Sequence, residues 1–244
     1  MLMILPRMFL FCMLMFMFVF GGGHATKTRV RVQLGDTPVV VEKIQRGHGK
    51  AFVHVHQSET TALKAARAVV LSEGGSLVTL HHPGGRNIVF HLNNTRYEFD
   101  PNRMFTDAGI KKTLEQFGPY SAKAHGLVKL LAEQVTAALP NNQTVIAVHN
   151  NREYSLKDYY PGASLEHEAE ALHVPQPKAY RNFYLITKKT DYTRLKQSKF
   201  NSVLQARTPE DDGSLSVYLT SKPYVNVEAG YDQLATQIKM LRAA

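Results

Sequence analysis

His56-Gln57-Ser58-Glu59 places an imidazole and a carboxylate three residues apart, close enough in a tight turn for both to face one point. Histidine nitrogen and carboxylate oxygen are ligands that a catalytic zinc takes. His149 directly follows the apolar run Val145-Ile146-Ala147-Val148. Alone, such a histidine is as well explained by a hydrogen-bonded core position. Beside His56 and Glu59 it completes a His, Glu, His set with a fourth position open for water, the pattern of a catalytic zinc site. Asp100-Pro101-Asn102-Arg103 offers a guanidinium fork and an amide, which together can hold a carboxylate; an ordinary surface arginine after a turn is the alternative. Tyr224-Val225-Asn226-Val227-Glu228 puts Asn226 and Glu228 on one face if the segment is a strand. Glu228 is then a candidate general base, or else a solvent-facing acid before Gly230. His54 shares a strand face with His56, and His81-His82 form a pair; both are expected to be non-ligands.

These side chains need a scaffold of alternating strands and helices. Strands are expected at 28–34, 38–41, 51–55 and 76–80, with a helix over 58–71 ended by Gly74-Gly75. Segments 87–92 and 95–99 flank Asn93-Asn94, a hairpin signal. Helices follow over 106–117 and 121–139, the first capped by Thr106 and stopped by Gly118-Pro119. The apolar run 144–148 suits a buried central strand. Residues 150–182 read as loop-rich, with a helical turn over 166–172. Strands are expected at 183–187, 214–218 and 224–227, and a closing helix over 233–241. The alternation predicts one α/β domain with a mixed, mostly parallel central sheet flanked by helices. Its candidate ligands then lie beyond the carboxyl ends of strands, where open α/β sheets gather their sites.

In order along the chain, His-x-x-Glu, Asn-Arg, a lone His after an apolar strand and a late Glu resemble the zinc carboxypeptidase superfamily, including its succinylglutamate desuccinylase and aspartoacylase branch. The resemblance runs from about Val53 to Glu228. It implies one zinc ion on His56, Glu59 and His149, a carboxylate grip by Asn102 and Arg103, and Glu228 as general base. Arg86, in Gly84-Gly85-Arg86-Asn87, resembles the family arginine that polarises the scissile carbonyl. The chain is shorter than a typical carboxypeptidase catalytic domain. Tyr154, Tyr159, Tyr160, Tyr180 and Tyr184 all fall where the specificity-loop tyrosine is expected, and no residue defines a side-chain pocket.

Composition narrows the setting. Arg7, the unbroken apolar run 8–20 and the small residues Gly21-Gly22-Gly23-His24-Ala25 have the layout of a secretory signal peptide cut after Ala25. The expected organisation is a signal over 1–25 and a catalytic domain over 26–244, exported to the periplasm or beyond with no stable membrane anchor after cleavage. Cys12, the single cysteine, lies inside that signal, so neither disulfide nor thiolate chemistry is expected of the domain. The net charge of +9 comes from scattered lysines and arginines, not from a stripe interleaved with aromatics, so nucleic acid is not an expected partner. The activity expected is hydrolysis of an amide bond next to a free carboxylate, in cell-wall (peptidoglycan) stem peptides or other extracytoplasmic peptides. The alternatives are an N-acyl amino acid deacylase of the desuccinylase type, or a non-catalytic peptide-binding protein on the same fold.

Overall fold

A computed structural model describes residues 24–244. The segment read as an export signal therefore lies outside the described residues, apart from its last two positions. In chain order the elements are β1 (Thr26–Leu34), β2 (Thr37–Arg46), β3 (Ala51–His54), α1 (Thr60–Glu73), β4 (Gly75–His81), β5 (Ile88–Leu92), β6 (Thr95–Phe99), α2 (Asp107–Phe117) and α3 (Ala122–Ala138). They continue with β7 (Val145–Asn151), β8 (Ala169–His173), β9 (Phe183–Ile186), α4 (Lys189–Lys196), β10 (Asn201–Gln205), α5 (Leu215–Tyr218), β11 (Tyr224–Gly230) and α6 (Leu234–Ala243).

A nine-stranded sheet in the order β1-β2-β4-β3-β7-β11-β9-β10-β8 forms the frame. Its centre, β4-β3-β7-β11, is parallel, and antiparallel pairings flank it at β1-β2, β2-β4, β11-β9 and β10-β8. Alternation along the central strands feeds two apolar layers. Val53, Val145, Ala147 and Tyr224 face a layer built with α2 and α3, through Ile110, Leu114, Val128 and Leu131. Phe52, Ile146, Val148, Val225 and Val227 face the other, built with α1, α4 and α6. Ala62, Ala65, Ala66, Val69 and Val70 of α1 recur at helical spacing, and their small size lets the helix lie close to the sheet. No helix among the described residues is long and apolar enough to cross a membrane.

Local chemistry fixes the ends of these elements. Thr106 and Ser121 cap α2 and α3 by accepting from Gly109 N and Ala124 N. Asn93 and Asn94 take φ of 48° and 65°, the left-handed pair of a two-residue turn between β5 and β6. Two expectations change. Residues 214–218 are helical: Ser214 accepts from Val217 N and starts α5, a local side-chain bond that outcompetes the strand preference of the segment. The helical turn expected over 166–172 is confined to Glu166–Glu168, because Ala169–His173 is drawn into the sheet as the edge strand β8. The helix α4 and strand β10 lie in a stretch with no clear periodicity.

One glycine contact ties the fold to the cleft. Gly109 at the start of α2 packs on Gly213, whose φ is +77°, and a Cβ on Gly109 would sit 2.8 Å from the Arg103 carbonyl oxygen. Phe105 N also donates to Gly213 O at 3.0 Å. The loop before α5 is thus pressed onto the Arg103 backbone, where no side chain fits. Gly213→Ala is expected to cost about 2–3 kcal/mol through strained φ and overpacking. Gly126→Ala, on α3 with open space around it, is expected to stabilise by about 0.5–1 kcal/mol. Urea unfolding of both variants checks the contrast.

Candidate metal centre

The carboxyl ends of β3, β7 and β11 open on the α2–α3 side of the sheet. Two residues beyond β3, the chain turns back: Glu59 N donates to His56 O at 3.0 Å, so the two side chains start from one tight turn. Glu59 occupies the N-cap position of α1 but makes no capping bond. That role passes to Asn150 of β7, whose Oδ1 accepts from Ala62 N at 2.8 Å. The Asn150 Nδ2 donates to Gln237 Oε1 at 3.0 Å, and Gln237 Nε2 donates to His149 O at 2.9 Å. Asn150 and Gln237 therefore lock α1, β7 and α6 together behind the site and leave the Glu59 carboxylate free to turn inward.

There it meets both histidines. His56 Nδ1 lies 3.0 Å from Glu59 Oε1, His149 Nδ1 lies 3.0 Å from Glu59 Oε2, and the two Nδ1 atoms are 3.2 Å apart. All three residues are buried, and their donor atoms fall within 4.8 Å of one another. Zinc bonds of about 2.0–2.1 Å in a tetrahedron would set neighbouring donors roughly 3.3 Å apart, which matches these separations. Two imidazole nitrogens facing each other across a carboxylate are poorly served by one shared proton, and well served by a cation. The donor set thus fits a zinc ion.

Asp100 completes the support. Its Oδ1 lies 2.6 Å from His56 Nε2, is held by Asn102 N at 2.7 Å, and so leaves Nδ1 as the ligating nitrogen of His56. Burial alone would lower the His56 pKa, but the Glu59 and Asp100 carboxylates outweigh it and raise it to about 9 in the metal-free chain. Burial would raise Glu59 and Asp100; the His56 cation prevails and holds both well below the usual carboxylate range. His54 is buried behind the site, 3.2 Å from Thr79 Oγ1 and 3.0 Å from Glu59 O, with its pKa lowered to about 4 by desolvation. It serves as support and not as a ligand. His82 bonds to Gln57 and Pro83, away from the donor set.

The cleft above this centre has a volume of about 660 Å³, and its lining includes His56, Glu59, Arg86, Asn102, Arg103, His149 and Glu228. Glu228 pairs in register with His149 across β11 and β7 and so rises on the same face. Burial raises its carboxyl above the ordinary value, against the pull of His149 and of the Asn151 and Asn226 amides that donate to it. Arg86 is half-exposed; its Nη1 binds Glu59 Oε1 and its Nε lies 3.4 Å from Asp100 Oδ2. Asn102 Oδ1 accepts from Leu215 N at 3.2 Å, and Arg103 Nη2 lies 3.4 Å from Asp212 Oδ2. Of the candidate tyrosines, Tyr154 and Tyr159 line the cleft with their hydroxyls paired, whereas Tyr184 donates to Met240 O on the far side of the sheet. Asp100, Asn150, Asn151 and Gln237 were not singled out from sequence. Asp100 and Asn150-Asn151 adjoin singled-out residues, the one visible hint; nothing marks Gln237.

No family model and no curated protein sequence matches this chain. Among solved structures it is similar to an aspartoacylase family protein from Mesorhizobium loti, at 12% identity and a TM-score of 0.40, over 91% of this chain and 68% of that one.

Two outcomes follow from this geometry. Asp100→Asn is expected to weaken zinc affinity about 10–100-fold, read by competition with a chromophoric chelator. In the chelated protein, the raised His56 pKa contributes stability that is fully present below its unfolded value of about 6.5 and lost as pH rises through about 9. The lowered Glu59 and Asp100 contribute stability that is lost as pH falls below the ordinary carboxylate range. Thermal melting of chelated protein should therefore decline on both sides, and added zinc should remove the alkaline decline by taking the place of the His56 proton.

Proposed function

We propose that this protein is a zinc-dependent amidohydrolase that cleaves the amide of an N-acyl amino acid unit, the acyl group being a small acid or a peptide. The observation that carries the reading is the convergence of buried His56, Glu59 and His149 with Glu228 in register beside them. A structural metal site would close its fourth position with protein; this one opens into a cleft.

When bound, zinc would supply Lewis-acid polarisation of the scissile carbonyl and acidify water. The remaining work falls to the chain. Asn102 and Arg103 would hold the substrate carboxylate, with Arg103 exchanging its long contact to Asp212 for a better-placed fork. That grip fixes which amide reaches the centre. Arg86, half-exposed at the cleft wall, has donors left over for the carbonyl oxygen as negative charge develops on it. Glu228 would take a proton from the attacking water and return it to the departing amine nitrogen as the carbon–nitrogen bond breaks. Its raised pKa brings its two protonation states nearer to neutral pH, as such a role needs.

A carboxy-terminal peptide bond and the amide of an N-acyl amino acid present the same amide one carbon from a carboxylate, so both substrate classes belong to this proposal. The secretory layout of residues 1–25 favours peptides outside the cytoplasm, peptidoglycan stem peptides among them. A purely binding protein has no use for a proton-moving Glu228. Glu228→Gln should keep stoichiometric zinc and lower kcat by about 10²–10⁴-fold, while chelation should abolish turnover and zinc restore it. Full turnover by Glu228→Gln, or zinc-independent turnover by the wild type, would falsify the proposal.

A further inference from the structure

One carboxylate in the cleft lining lacks the partner that others of its kind have. The side chains of Asp100, Glu98 and Asp191 are 16–18% exposed, and they sit against Arg86, Arg96 and Arg194 respectively. A mostly desolvated carboxylate requires such pairing. Glu168 is 17% exposed, yet among the described residues no lysine or arginine lies within ion-pair distance of it. Its partners are Glu210 N, which donates to its two oxygens at 3.1 and 3.3 Å, and the outward-lying imidazole of His167 at 3.8 Å. An ionised carboxylate can accept about four hydrogen bonds, so capacity remains. Glu228 also has no lysine or arginine against it, and it moves a proton in the proposed reaction; Glu168 has no part there.

The position of Glu168 is tied to that of the carboxylate grip. Its carbonyl oxygen accepts from Ala206 N at 2.8 Å as the chain enters β8. Glu210, whose amide holds the Glu168 carboxylate, lies two residues from Asp212, and Asp212 faces Arg103 at 3.4 Å. Two residues span at most about 7 Å. Tyr159, Leu165 and Leu185 pack as one apolar group and line the same cleft. Burial raises the Tyr159 hydroxyl, against its bond with Tyr154, and the Glu228, Asp212 and Glu168 carboxylates push it the same way as burial. That ring therefore stands among the reacting end, the grip and Glu168.

In a chain of net charge +9, this end of the cleft is negative. Its lining sets Glu168, Glu210 and Asp212 against Arg103 and Lys112, and Lys112 is bound to Glu210 at 3.1 Å. When a substrate carboxylate takes Arg103, Asp212 also loses its partner. An anionic side chain entering here would meet carboxylates. An apolar one would desolvate Glu168 further without pairing it. A cation on an aliphatic stem satisfies both parts of the wall: the stem lies on Leu165, Leu185 and Tyr159, and the charge reaches Glu168.

We propose that this end of the cleft receives the side chain of the residue bearing the substrate carboxylate, and that it selects a cationic side chain, with Glu168 as the reading group. The inference rests on the hydrolase reading of the same cleft and narrows it to amides built on lysine-like or arginine-like residues.

Calorimetric binding of free lysine, norleucine and glutamate, in the presence of zinc, reads the subsite without turnover; norleucine is lysine without its ammonium group. Lysine is expected to bind at least tenfold more tightly than norleucine, and glutamate most weakly. In parallel, N-acetyl and N-alanyl derivatives of the three are compared by kcat/KM. The lysine derivative is expected to lead norleucine by about 10–10²-fold, the range that a hydrogen bond to a charged group supplies. Glu168→Gln keeps an acceptor for Glu210 N and should remove most of that preference. Glu168→Lys should reverse it in favour of glutamate, which loss of a purely structural carboxylate does not produce. Glu210→Gln, which removes a charge already neutralised by Lys112, should retain the preference. Selective lysine binding without any turnover leaves this subsite standing and removes the hydrolase reading. Turnover of all three derivatives at comparable kcat/KM leaves the hydrolase reading and overturns the subsite. A preference for norleucine or glutamate in the wild type, or a lysine preference unchanged in Glu168→Gln, overturns it as well.

Discussion

A carboxylate taken out of water carries a penalty of several kcal/mol unless charge and hydrogen bonds replace its hydration. Glu59 is 1% exposed, and the surrounding structure is arranged to meet that demand. Two histidines approach its two oxygens, Arg86 binds one of them, and Asn150 N donates to the other at 3.1 Å. It can adopt this inward position because a different strand supplies the helix cap. Were Glu59 to cap α1 itself, its oxygens would be spent on the first-turn amides and the histidines would face each other with no anion between them. Asn150 resolves that competition with one amide side chain. It also ties the register of β7 to the start of α1, so the same bond that frees the ligand fixes its distance from His149.

The parallel centre of the sheet then does the rest of the positioning. Strands β3, β7 and β11 run in one direction, so their carboxyl ends deliver His56, His149 and Glu228 to a common edge. Register matters as much as direction. A one-residue slip of β11 against β7 would turn Glu228 to the opposite face and bring Val227 or Ala229 to the cleft. What resists the slip is the apolar alternation beneath: Val225 and Val227 are wholly buried against the α1–α6 layer, and Glu228 cannot enter it unpaired. The geometry of the candidate site is thus a by-product of core packing on the far side of the sheet.

The sequence shows this frame where chemistry and periodicity agree. His56-Gln57-Ser58-Glu59 follows a short apolar strand, His149 follows an apolar run, and Asn226 and Glu228 sit at strand spacing; the structure keeps these relations, except that β7 runs on through His149 to Asn151. The boundaries of α2 and α3 were legible because Thr106 and Ser121 are strong local caps. The stretch from Asn150 onward was less so, for a physical reason. There β8, β9 and β10 are short, and their pairing is decided by partners distant in sequence, with antiparallel β8 closing the edge after a turn of 3-10 helix. Ser214 shows the same limit from the other side: a single hydroxyl redirects a strand-like segment into α5. Gln237 had no signal at all, since a glutamine on an amphipathic helix looks like a solvated residue until the fold buries it at 0% exposure.

The supporting residues also explain why the site can be rigid without a single disulfide. Asp100 is gripped by a backbone amide, fixes the His56 ring through Nε2, and begins the segment that presents Asn102 and Arg103. The Gly109–Gly213 contact then presses the α5 loop onto the Arg103 carbonyl, and Leu215 N bonds back to Asn102 Oδ1. One short stretch of chain therefore holds the carboxylate that orients His56 and the candidate carboxylate grip in a fixed relation. A shift anywhere in 100–103 would move both together, so the distance between the candidate carboxylate grip and the candidate metal ligands is set by backbone geometry. The side chains add chemistry to a spacing that the loop and helix termini have already determined.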